Sequence, residues 1–178
     1  GTSSGLDPLN AYLKRPVLIR SKDTIDIIKI PVTNDFPDGA VFLIDTGTTG
    51  ETAPLVNIYM ERASHKGRNA IDANRFTALV NQAIRAIAHA QDARFFDALR
   101  ELSVFELEHL RPMIPDGFRG LWRNGLEENN FYLKLCGSGG GGFLLGFTKD
   151  YPQMAAFFRK KEITPIPVFK YNQREAIG

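Results

Sequence analysis

A single cysteine, Cys136, among 178 residues leaves no intramolecular disulfide and excludes the small disulfide-stapled secreted scaffolds. The three histidines, His65, His89 and His109, are scattered without partners at zinc-ligand spacing, so no metal site is expected. No apolar run approaches the ~18 residues of a membrane span. A formal charge of +2 is thinly spread, with no dense Lys/Arg stripe, so neither a membrane nor a nucleic acid is expected as a partner. A reducing cytoplasm is the compartment this composition suits. Gly1-Thr2-Ser3-Ser4-Gly5-Leu6-Asp7-Pro8 lacks an initiator Met, a basic n-region and an apolar h-region. It is therefore no signal peptide, and it reads as the middle of something larger, cut open.

What is present suits a globular chain of 19.9 kDa, 43% hydrophobic and 24% charged, long enough for one compact domain. Pro16–Arg20 and Thr24–Ile30, rich in β-branched residues and separated by Ser21-Lys22-Asp23, predict a hairpin that ends at Pro31. After the turn cluster 34–39, Ala40–Asp45 predicts a strand buried on both faces. Thr52-Ala53-Pro54 predicts a helix start, with Thr as cap and Pro in the first turn. Phe76, Leu79, Val80, Ala83, Ile84, Ile87 and Ala88 recur at three- and four-residue steps, and Phe95, Leu99 and Leu102 continue after a short turn, which predicts an αα-hairpin. A helix-like stretch spans 116–130. Strands Phe131–Cys136 and Phe143–Phe147, a helix Gln153–Lys161 and a strand Pro165–Phe169 complete the chain. That order predicts an α+β domain, a mainly antiparallel sheet with helices packed on one face.

Gly137-Ser138-Gly139-Gly140-Gly141-Gly142 lies between two dense apolar strands, which is no place for a flexible linker. Each glycine forgoes about 0.5–1 kcal/mol relative to Ala, so the run implies a backbone that takes positive φ or admits a close neighbour. A sharp hairpin needs one or two glycines. The pattern therefore favours an anion- or nucleotide-facing loop over a purely structural turn. Gly137-x-Gly139-x-x-Gly142 formally fits the dinucleotide fingerprint, but a strand follows where that motif needs a helix, and no Gly-Lys-Ser/Thr ending makes it a P-loop. By itself Asp7, directly before Pro8, is an ordinary turn residue.

Taken together, the two segments resemble the GHMP small-molecule kinases, and most closely their mevalonate kinase branch. Gly1-Thr2-Ser3-Ser4-Gly5-Leu6-Asp7 resembles the family's central segment with its catalytic aspartate, and Lys134-Leu135-Cys136 followed by Gly137–Gly142 resembles its last signature. Ile44-Asp45-Thr46 and Thr52-Ala53-Pro54-Leu55-Val56 resemble the opening of its C-terminal domain, so the likeness covers most of the chain. Ser3, Pro8, Gly50-Glu51 and Cys136 depart from the usual residues, which bears on the acceptor rather than on the class.

The resemblance implies a C-terminal, ferredoxin-like GHMP domain over 32–178, preceded by a trailing N-terminal-domain segment, 1–31, that carries the catalytic loop and the hairpin. It implies an ATP-dependent phosphotransferase with an alcohol acceptor, expected to be mevalonate, and inactive without its N-terminal part. Asp7 is implied as catalytic base. Gly137, Ser138, Gly139, Gly140 and Gly141 are implied on the nucleotide side, and Ser4, Gly5 and Thr52 at the acceptor. ATP and Mg²⁺ are the implied cofactors, with the Mg²⁺ ligands in the N-terminal part, and a homodimer is compatible. Phosphomevalonate kinase, a sugar kinase, diphosphomevalonate decarboxylase and a non-catalytic α+β binding domain are the alternatives. The histidines read as surface or packing residues, Cys136 as a buried thiol, and Arg159-Lys160-Lys161 as a solvated helix end.

Overall fold

The computed structural model describes residues 12, 17–21, 24–27, 36–49, 52–64 and 71–170. Strands β1 (Val17–Ser21) and β2 (Thr24–Ile27) form the expected antiparallel hairpin, with Ile19 opposite Ile25. The expected boundary at residue 31 lies outside the described residues, as does His65.

The remaining elements run β3 (Ala40–Asp45), α1 (Thr52–Ser64), α2 (Ala73–Ala88), α3 (Asp92–His109), a 3₁₀ turn (Arg111–Met113), α4 (Asp116–Glu127), β4 (Tyr132–Leu135), β5 (Phe143–Thr148), α5 (Tyr151–Arg159) and β6 (Ile166–Lys170). The sheet order is β4-β5-β3-β6 and every pairing is antiparallel. The chain is thus α+β, with helices packed against an antiparallel sheet. The strand order is that of a split βαβ unit, in which β3 lies between β5 and β6, elements that follow it only after most of the chain.

The expectation of a strand buried on both faces is corrected at β3. Ala40, Phe42 and Ile44 are buried while Val41 and Leu43 are only partly so. The period-2 alternation of a strand sends successive side chains to opposite faces, and here one face alone is sealed. On that face Phe42 meets Phe131 and Phe158 at centroid separations of 6.3 and 5.7 Å, with inclined rings. Its cross-strand partner is Gly146. Nearby, the Trp122 indole N–H on α4 donates to Ser103 Oγ (2.8 Å) and fastens α4 to α3. A buried indole needs such an acceptor to avoid an uncompensated donor.

Caps explain where the helix limits differ from the periodic reading. Asp72 Oδ1 accepts the Arg75 N–H at 2.9 Å and starts α2, and Asp150 Oδ1 accepts the Gln153 N–H at 2.8 Å, so that α5 begins two residues earlier than expected. Lys160 and Lys161 then fall just past the helix, where both are exposed. Helix α4 stops at Glu127, three residues short of the expected end, and Asn129 turns the chain with φ +53°.

Candidate functional site

The glycine loop leaves β4 and re-enters the sheet at β5, hydrogen-bonded strands whose pairing ends with Leu135 opposite Leu144. Four of its glycines, Gly137, Gly139, Gly140 and Gly142, have φ of 58°, 72°, 78° and 67°, the left-handed region that penalises a Cβ. Gly139 is further constrained, because a Cβ there would lie 2.6 Å from the Met113 carbonyl oxygen.

Much of the loop's backbone is spent on holding its own shape. The Gly139 N–H donates to Cys136 O (3.2 Å), Gly140 N–H to Met113 O (2.6 Å) and Gly142 N–H to Thr48 O (2.6 Å). In return the Gly142 carbonyl accepts from both the Thr46 N–H and its hydroxyl, each at 2.8 Å. The N–H groups of Gly137 and Gly141 have no acceptor among the described residues. The loop is therefore tied to the 3₁₀ turn on one side and to the end of β3 on the other, with its Gly137–Ser138 edge turned to a cleft.

That cleft, of about 340 Å³, is lined on its apolar side by Val56, Tyr59, Phe76, Leu110 and Met113, and on its polar side by Glu106, Lys134, Gly137 and Ser138. Its volume lies within the range of small-molecule sites, and a few polar groups converging on an apolar cavity are what such sites contain. Glu106 is 1% exposed and lies at the base. Its Oε2 accepts the Leu135 N–H at 2.7 Å, and its Oε1 faces Lys134 Nζ at 3.9 Å. Lys134 in turn donates to the Leu135 carbonyl at 3.0 Å. Burial pushes the Glu106 carboxyl up from 4.5 to about 7, against the opposing pull of the Lys134 ammonium and the Leu135 N–H. Cys136, half-buried at the end of the strand, has its thiol pushed up by burial, which suits an unreactive sulfhydryl.

This carboxyl makes stability depend on pH. The folded chain favours the neutral acid, so the contribution is full below pH 4.5 and is lost as pH rises to about 7, an interval that amounts to about 3 kcal/mol. The urea midpoint of the wild type is expected to fall from pH 5 to pH 7.5, and most of that fall to vanish in Glu106→Gln. Equal slopes for the two proteins would exclude Glu106 as the titrating group.

Of the residues expected at the site, the structure brings Gly137 and Ser138 to the cleft and sets Gly139, Gly140 and Gly141 in the loop behind them. Thr52 is the first residue of α1. Ser4, Gly5 and Asp7 lie outside the described residues. Among the described residues no three His, Cys, Asp or Glu side chains gather in one place, while the loop edge and Lys134 together suit an anion. Sequence reasoning gave Glu106 no role, although it continues the four- and three-residue steps of Phe95, Leu99 and Leu102. A carboxylate on a buried helical stripe was the available signal.

No family model and no curated protein matches the chain. Among solved structures it is similar to the crystal structure of a Lin0012 protein from Listeria innocua, with a TM-score of 0.60 and 19% identity over 81% of this chain. The match covers 41% of the length of that protein. A likeness at this identity concerns the fold.

Proposed function

We propose that the chain is the C-terminal portion of an ATP-dependent GHMP-type kinase that phosphorylates a small alcohol, with mevalonate as acceptor and 5-phosphomevalonate as product, and that it is inactive without its N-terminal complement. The observation that carries this reading is the glycine loop: its left-handed backbone presents Gly137 and Ser138 beside the Lys134 ammonium, an arrangement suited to a phosphate group. The resemblance of both terminal motifs to the family supports it, and so does a fold that matches part of a longer protein.

In this reading Asp7 accepts the proton of the acceptor hydroxyl while its oxygen bonds to the terminal phosphorus of ATP and the bond to the departing ADP oxygen breaks. Ser4, Gly5 and Thr52 orient the acceptor, and Gly137–Gly141 line the nucleotide's phosphate side. Phosphoryl transfer asks little covalent chemistry of the protein beyond alignment and compensation of charge. Mg²⁺, held by residues of the N-terminal part, would supply charge neutralisation at the phosphates. A cytoplasmic location fits this chemistry.

The test is a coupled ADP-release assay, on this chain joined to its N-terminal complement, over mevalonate, phosphomevalonate, sugars and homoserine with MgATP. Turnover of mevalonate is expected. Preference for phosphomevalonate would reassign the acceptor, phosphate and carbon dioxide released from diphosphomevalonate would indicate the decarboxylase, and no release with any acceptor would favour a non-catalytic binding domain. Gly140→Val places a β-branched side chain at φ +78° and is expected to raise KM for ATP at least tenfold, about the cost of a left-handed non-glycine residue. Nucleotide binding and turnover untouched by that change would leave the loop a packing device.

A further inference from the structure

We propose that Lys134 is a shared cation: held here by Glu106 and the Leu135 carbonyl, it turns to a phosphate group seated at Gly137 and Ser138, and Glu106 takes up one proton as it leaves. The inference rests on the reading of the glycine loop as a phosphate-facing element and adds how charge is managed beneath it.

The two partners differ in their freedom. The Lys134 side chain is 34% exposed and, among the described residues, makes one hydrogen bond, to its neighbour's carbonyl, while its 3.9 Å separation from Glu106 Oε1 is too long for another. An ammonium has three donors, so capacity remains for an anion. Glu106 is fixed by burial and by the Leu135 N–H. Once its counter-ion swings away, its carboxylate is a buried charge facing an apolar cavity, a state that costs several kcal/mol unless a proton arrives. The proton comes from solvent and adds to Oε1, the oxygen that faced Lys134. The charge balances: one phosphate negative charge replaces one carboxylate negative charge opposite the ammonium.

The surroundings leave Glu106 as the group that responds. Tyr59 faces the cleft from α1, Phe76 from α2 and Met113 from the 3₁₀ turn. Cys136 follows β4, and its thiol is pushed up by burial and by Glu106 itself. On α3, His109 packs on the Phe105 ring at 4.5 Å and Glu108 is its neighbour, while Arg75 of α2 stands over the same ring at 5.8 Å from its centroid. With the carboxyl already poised at about 7, removing Lys134 raises it further and makes proton uptake measurable above neutrality.

The experiment is calorimetric titration of metal-free ADP into the 178-residue chain, from pH 6 to 9 and in two buffers of different ionisation enthalpy. The expected result is uptake of about one proton per ADP at pH 8, with Kd rising by up to about tenfold per pH unit above 7. Glu106→Gln is expected to abolish that uptake beyond the titration of ADP itself. Should that variant fail to fold, Lys134→Met, which alters a partly exposed side chain, is expected both to weaken binding about tenfold or more and to abolish the uptake. ADP binding with the same uptake in the wild type and in the variant would overturn the shared cation while leaving the phosphate-facing loop intact. No binding of ADP by the wild type would overturn both.

Discussion

Gly146→Val is expected to leave the chain unable to fold. Gly146 sits in β5 opposite Phe42 of β3, and a Cβ there would lie 2.7 Å from Phe42 Cε1 and nearer still to Cε2 and Cζ. Phe42 has nowhere to go, because it is fully buried and boxed by Phe131 and Phe158, whose own centroids are 4.9 Å apart. Overpacking a sound core costs about 1–3 kcal/mol per small insertion, and a valine adds three carbons where none fit, against a total stability of about 5–15 kcal/mol. Gly146→Ala is the measurable version, with an expected loss of about 3 kcal/mol by urea unfolding. Phe42→Leu shortens the ring that occupies the space. The double variant Gly146→Ala/Phe42→Leu should then be more stable than the sum of its single changes predicts, by about 1 kcal/mol or more. Strict additivity would show that the glycine answers to something other than this ring.

Asp7→Asn, in the kinase proposed above, is expected to lower kcat by about 10²–10⁴-fold, the usual worth of a positioned base. An aspartate of ordinary pKa, about 3.9, is ionised at neutral pH and can take the hydroxyl proton. Asparagine keeps the size of the side chain and one acceptor oxygen, and exchanges the basic oxygen for an NH₂ donor. KM for mevalonate and for ATP should therefore stay within a few-fold, since ground-state contacts survive. The wild type should also show an acidic limb in its pH-rate profile that the variant lacks. A kcat near that of the wild type would remove Asp7 from the chemistry, and a large rise in KM with kcat preserved would make it a binding residue.

What could be read in advance was what depends on neighbours in sequence. The apolar stripe from Phe76 to Ala88 marks one helix face, and the run Phe143–Phe147 marks a strand, because periodicity is local. The glycine run announced an unusual backbone, and four of its glycines do have positive φ. What stayed hidden depends on contacts across the fold. Nothing near Gly140 in sequence points to Met113, and nothing near Gly146 points to Phe42. The two-faced burial expected of β3 failed for a related reason, since Val41 and Leu43 are apolar whether or not a layer covers them. Glu106 was overlooked because a charged residue on a helix is read as solvated unless its place on the stripe is weighed.

Glycine-rich segments are commonly read as slack, yet this one behaves as a strut. Bonds to Thr46 and Thr48 at one margin and to Met113 at the other place it in parallel with two rigid supports. Its backbone order on the ps–ns timescale should approach that of the strands it joins rather than that of a free loop. Displacement at its crest is then transmitted as movement of the β3 terminus and the 3₁₀ turn together. The compliance of this region is left to Gly137 and Gly141, whose N–H groups carry no such bond among the described residues.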